Sequence, residues 1–92
     1  MIEIKSMDQF QSLCRKKYKD WWQTQDLIVK PLTGKYPEKT FVTWSCKELK
    51  NFKCNISGIP SGVFGEYTYN GETKELYEDI YIKVANKCHT EE

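Results

Sequence analysis

The chain is poor in arginine, histidine and alanine: Arg15, His89 and Ala85 are the single examples of each. Thirteen of the fourteen basic groups are therefore lysines. Lysine meets a phosphate as a point charge and reads base edges poorly beside arginine, so a sequence-specific nucleic-acid reader is disfavoured. A lone His89 near one end of the chain leaves little for histidine-based acid–base chemistry. No C-x-x-C pair joins Cys14, Cys46, Cys54 or Cys88, the spacing that structural zinc sites usually contain. No apolar run approaches a membrane span, and Met1 to Lys5 is too short and too charged for the core of a signal peptide. The expectation is a cytoplasmic protein with reduced thiols, no membrane partner, and no resident metal or cofactor. No repeat, low-complexity tract or linker divides residues 1–92, which predicts a single compact domain.

What the chain does have is aromatic mass. Three Trp, six Tyr and four Phe serve a chain of 92 residues, whose small size demands large side chains in the core.

Ser6 with Gln9 three residues on makes a capping-box pattern. From there Met7, Phe10, Leu13, Cys14, Tyr18, Trp21 and Trp22 share one side of a 3.6-residue wheel, which predicts a helix over 7–24. Trp21 falls near the centre of that stripe and reads as core. Trp22 falls at its edge, where a tryptophan is either a rim of the core, the favoured reading, or an interface anchor.

Ile2 and Ile4 suggest a short edge strand or an extended lead-in. Leu27–Val29 reads as a short strand, and 31–39, with two prolines and Gly34, as a loop. Thr40 to Cys46 alternates as a strand, with Val42, Trp44 and Cys46 on one face and Phe41, Thr43 and Ser45 on the other. Residues 47–53 are ambiguous. A short strand at 54–56 is followed by a turn over 57–62, and a strand over 63–69 has Gly65 inside it, the mark of a bulge or a close approach.

Asn70-Gly71 suits a hairpin turn. The segment after it competes: Leu76, Tyr77, Ile80, Tyr81, Val84 and Cys88 fit a helical template that only Ile82 breaks, with acids early and lysines late. The expectation is a second helix over 72–88, with a strand as its rival. The predicted fold is α+β: a small two-layer domain in which a three- to four-stranded antiparallel sheet is covered by an N-terminal and a C-terminal amphipathic helix.

Charge is segregated along the chain. Residues 15–54 carry ten basic groups against four acids, and residues 55–92 carry three against seven. Either the two halves neutralise each other on folding, or the middle forms a basic face for an acidic partner. The latter reading nominates Lys16, Lys17, Lys19, Trp22, Tyr36, Lys47, Lys50 and Lys53 as partner-binding residues. Three acid-x-Lys triplets occur, at Glu3/Lys5, Glu48/Lys50 and Glu72/Lys74, where chance predicts about two, so a nuclease motif at Glu48-Leu49-Lys50 carries no weight alone.

The expected function is a non-enzymatic binding protein acting stoichiometrically on a macromolecule, most simply another protein. Amino-acid usage typical of AT-rich coding sequence, the lack of a catalytic constellation and the segregated charge make a phage-type inhibitor or regulator of a host enzyme its concrete form. A non-specific, single-strand-tolerant nucleic-acid binder is the alternative, and a small metal-dependent nuclease the third.

Overall fold

A computed structural model describes residues 1–24, 39–59, 62–83, 85 and 87–90. The order of elements is α1 (Met7–Thr24), β1 (Lys39–Glu48), β2 (Asn51–Ile59), β3 (Val63–Asn70) and β4 (Glu75–Ile82). The four strands pair antiparallel in the order β1-β2-β3-β4, a simple meander. The expected strand at 27–29 and most of the loop at 31–39, Tyr36 included, lie outside the described residues.

Helix α1 begins where its cap predicts. Ser6 Oγ accepts from the Gln9 N–H at 3.1 Å, and Gln9 Oε1 accepts from the Lys5 N–H at 2.8 Å, one residue before the cap itself. Gln9 Nε2 also donates to the Glu3 carbonyl at 2.7 Å. These bonds hold residues 3–5 against the first turn, so Ile2 and Ile4 form a pinned lead-in rather than a strand.

The helix lies across β1 and β2. Its buried stripe is Phe10, Cys14, Tyr18 and Trp22, each four residues from the last and each fully enclosed. Facing it are Phe52, Cys54 and Ile56 of β2 and Val63, Tyr67 and Tyr69 of β3. Burial of one such large side chain contributes roughly 1.5–3 kcal/mol. The stripe follows one i,i+4 ridge, which is narrower than the apolar side of the sequence wheel. That corrects the assignment of the tryptophans: Trp22 is 0 % exposed and belongs to the core, while Trp21 packs beside it, half-buried, at 5.9 Å between ring centroids. The Tyr18 hydroxyl crosses the core to donate to the Val63 carbonyl at 2.8 Å.

There is one helix among the described residues, and in place of the expected helix over 72–88 the chain forms a turn and then strand β4 at Glu75–Ile82. Asn70 starts the turn: its Oδ1 accepts from the Glu72 and Thr73 N–H groups at 2.9 and 3.3 Å, and its carbonyl accepts from Lys74 N–H at 2.8 Å. β4 then carries apolar residues on both faces. Leu76, Ile80 and Ile82 lie on the helix side, across from Tyr69, Gly65 and Val63; Tyr77 and Tyr81 lie on the other. A strand apolar on both faces imitates a helical period, and Ile82, which broke the helical template, fits this register.

Two smaller expectations change as well. A β-bulge between Val42 and Trp44 shifts the phase of β1, so Phe41, Trp44 and Cys46 share one face while Val42, Ser45 and Lys47 share the other. Residues 47–53 form the β1–β2 hairpin, and Ser57 to Ile59 extend β2 rather than turning.

Gly65 is a close approach: a Cβ there would lie 2.6 Å from the Tyr67 ring. Tyr67 is fully buried and its hydroxyl donates to Glu78 Oε2 at 2.7 Å. Burial first, and then the hydrogen bond to the Glu78 carboxylate and its charge, push the Tyr67 phenol well above its ordinary range.

At the far end of the sheet the two hairpin turns interlock. A Cβ on Gly71 would lie 2.3 Å from the Lys50 carbonyl oxygen. Gly71 N–H donates to Asn51 Oδ1 at 3.0 Å, and Lys50 pairs with Glu72 at 3.2 Å. The lead-in joins this assembly: Tyr69 hydroxyl donates to the Ile2 carbonyl at 2.6 Å, Ile2 N–H to the Lys74 carbonyl at 3.3 Å, and Lys74 pairs with Glu3.

Gly71→Ala should therefore destabilise the fold by about 1–3 kcal/mol or more, because the obstructing atoms are the Lys50 Cβ, carbonyl carbon and carbonyl oxygen, none of which can swing aside as a side-chain tip could; a lower denaturation midpoint at unchanged slope checks it. The Glu3–Lys74 contact predicts a pH dependence. The hydrogen bond and charge of Lys74 hold the Glu3 carboxyl below its usual range, and Glu3 raises Lys74 above its own. The lowered carboxyl contributes fully at neutral pH and is lost as pH falls through its folded value; the raised ammonium is lost only above the lysine range. Hydrogen-exchange protection of the Ile2 amide should hold across neutral pH and fall in acid, with Glu3→Gln removing the acid limb.

Candidate functional site

Helix α1 covers one face of the sheet, and no described element covers the other. The register places three cross-strand rows on that open face. Phe41, Ser57, Phe64 and Tyr81 make the first, Trp44, Asn55, Glu66 and Asp79 the second, and Cys46, Lys53, Thr68 and Tyr77 the third. Trp44 is 49 % exposed, Tyr77 53 % and Tyr81 44 %, and Phe41 is also exposed. Phe64 and Tyr81 stack with centroids 4.9 Å apart and planes within 16°. A shallow hollow between Trp44, Cys46, Lys53 and Thr68 continues the patch. Aromatic rings gathered on one uncovered surface are the kind of patch that marks a contact site.

The charge on this face is mixed, with an excess of acid. Glu48, Glu66, Glu75 and Asp79 stand against Lys39 and Lys53. Lys53 and Glu66 pair at 3.0 Å.

The lysines nominated from sequence do not share one wall. Lys47 lies on the helix side with its ammonium 5.7 Å from the Phe52 ring centroid, Lys53 lies on the open face, and Lys50 lies in the turn between them. Lys16, Lys17 and Lys19 are exposed on α1. Lys16 pairs with Asp20 at 3.3 Å, Lys50 with Glu72 at 3.2 Å and Lys53 with Glu66 at 3.0 Å. Two of those carboxylates come from the acidic last third, so the halves of the chain do neutralise each other in part. Such exposed pairs add at most about 1 kcal/mol each, but they cancel the local field. Of the nominated aromatics, Trp22 is core and Tyr36 is outside the described residues.

The rings of the open face were hidden in the sequence for two reasons. The bulge moved Phe41 and Trp44 onto one face, and the helical reading of 72–88 assigned Tyr77 and Tyr81 to the wrong element. The Asn70-Gly71 turn signal and the misfit of Ile82 to the helical template were the clues that pointed to the right arrangement.

The cysteines do not assemble into a metal centre. Cys46 faces out from the open side, Cys54 is buried on the helix side, and Cys88 and His89 are exposed beyond β4. Among the described residues no three His, Cys, Asp or Glu side chains come together as metal ligands, Glu48 included. Cys14 and Cys54 meet in the core, and their mutual hydrogen bond followed by burial pushes the Cys14 thiol far up. Among the described residues, no helix is long and apolar enough to cross a membrane.

Residues 11–91 match the model of a family of unknown function, DUF6275. The chain belongs to this family. The matched span takes in the whole four-stranded sheet and all but the first turn of α1. No curated protein and no solved structure matches the chain.

All four thiols are free. In the folded protein Cys46 and Cys88 should react promptly with a disulfide reagent, and Cys14 and Cys54 only after unfolding. Two fast and two protected equivalents by intact mass check this; four fast equivalents would contradict the buried pair.

Proposed function

We propose that this member of the DUF6275 family is a small non-enzymatic binding protein that engages a macromolecular partner, a protein surface, through the uncovered face of its sheet. The observation that carries this is the set of rings Phe41, Trp44, Tyr77 and Tyr81 exposed together on a face that no described element covers. Large aromatic side chains dominate the energy of protein interfaces because they bury much area at small entropic cost. The sheet holds them rigidly, so little ordering is lost on association. Carboxylates around them suit a partner that presents lysine or arginine, whose cations also sit well over ring faces. The concrete form we infer is a stoichiometric inhibitor or regulator of the phage type acting in the cytoplasm.

The stacked Phe64–Tyr81 pair also suits a single-strand nucleic-acid binder, since bases stack on exposed rings. The acids of the same face work against phosphates, which places this reading second.

The test uses affinity-tagged full chain recovered from its own cells. Wild type should retain a protein at fixed stoichiometry. Trp44→Ser with Tyr81→Ser should lose it, at about 2 kcal/mol or roughly 30-fold in affinity per anchor, with helix signal and melting unchanged. Lys16→Glu with Lys17→Glu and Lys19→Glu should retain it. Loss on the lysine variant with retention on the aromatic one would move the site to α1, and no partner above background would refute the reading.

A further inference from the structure

A second surface, remote from the open face, has its own chemistry. The lead-in, the β1–β2 turn and the β3–β4 turn enclose a cleft of about 330 Å³. That volume is at the lower end of the range for small-molecule sites. Its rim carries Lys5, Lys47, Lys50 and Lys74. Its walls include Phe52 and Tyr69, with ring centroids 6.1 Å apart.

Lys74 pairs with Glu3 and Lys50 with Glu72, while Lys5 and Lys47 form no ion pair among the described residues. With Glu3 and Glu72 set against four lysines, and Glu3 attracting Lys5 as well as Lys74, the cleft keeps a net excess of two positive charges. One of them is already placed, since Lys47 is held over the Phe52 ring. The frame is built rather than loose: Gly71 abuts the Lys50 backbone, and Tyr69 and Lys74 bind the Ile2 backbone.

Leu49 supplies an independent observation. It lines the same cleft at φ 55°, a left-handed backbone that a bulky residue rarely adopts, and its side chain is 83 % exposed. The two-residue hairpin turn requires that backbone angle, and it leaves the apolar side chain in solvent at the rim of the cleft. That side chain is positioned to cover the apolar part of something bound beside it.

We propose that this cleft binds a small phosphate monoester carrying an aromatic or apolar body. Lysine ammonium groups suit a compact dianion better than the flat fork of a carboxylate, for which arginine is the usual partner. The phosphate lies between Lys5 and Lys47, and the body lies against Ile4 and Leu49.

The probe is adenosine 5′-monophosphate, titrated into uniformly labelled full chain and followed by amide NMR. It should shift the Lys5, Leu49 and Gly71 amides, and the affinity should fall by about tenfold or more between about 0.05 and about 0.5 M salt. Adenosine and inorganic phosphate should each bind more weakly than the whole molecule. Lys5→Glu with Lys47→Glu should abolish the shifts while the spectrum stays dispersed, and Lys16→Glu on α1 should leave them intact. Absence of shifts at about 10 mM ligand, an affinity weaker than any useful site, would overturn the assignment. So would shifts that survive the double variant or map to Trp44 and Tyr77. Binding to phosphoinositide vesicles without binding to the nucleotide would overturn the small-molecule class. None of these outcomes bears on the aromatic face, which lies on the other side of the sheet.

Discussion

The packing of Phe10, Cys14, Tyr18 and Trp22 against Phe52, Cys54, Ile56 and Tyr67 is the contact from which the other features follow. It joins the one helix among the described residues to a sheet whose pairings are all between neighbouring strands. Eight side chains from one helix ridge and two central strands meet with almost no exposure. A chain of this size has little else with which to offset the entropy of ordering. Among the described residues one helix supplies the cover, so it closes one face of the sheet and none of them covers the other.

That asymmetry gives the molecule two different surfaces. On the open side, aromatic rings project from rigid strands among carboxylates. On the helix side and around the hairpin turns, lysines predominate, and several are matched by acids from the end of the chain. Charge segregated along the sequence thus becomes partly neutralised across space. Lys50 meets Glu72 and Lys53 meets Glu66 because a meander sets each strand beside the next, and the basic middle lies next to the acidic third. What remains is local: an acid-rimmed aromatic face and a small lysine cleft, each with a different chemical preference.

Strain and close approach concentrate at one end of the sheet. Leu49 and Lys74 take left-handed backbone angles, at φ 55° and 59°, and Gly71 packs against the Lys50 backbone. Two turns pressed together and tied to residues 2–3 leave few alternatives for the backbone there. Tertiary contacts maintain conformations that the local sequence would not choose. The buried Cys14–Cys54 pair plays a quieter part, filling the helix–sheet junction as small apolar groups.

Helix α1 was legible residue by residue, because its cap and its apolar period are local signals. The α+β class and an antiparallel sheet, expected with three to four strands, followed from strand patterning, and Gly65, marked as a bulge or a close approach, is the close approach. The last strand was not legible: Leu76, Tyr77, Ile80 and Tyr81 are apolar on both faces of β4, and that pattern resembles one face of a helix. Nor was the exchange of roles between Trp21 and Trp22, since a wheel gives the apolar side but not the line along which a sheet will touch it. The bulge after Val42 reversed the facing of β1 with no residue to announce it. The amino-acid order by itself determined where α1 starts and ends, which residues are available for a core, and how charge is spread along the chain. Only the tertiary structure decided which rings stay in solvent and which lysines find acids, because both depend on strand register, a property of pairs of segments rather than of either alone.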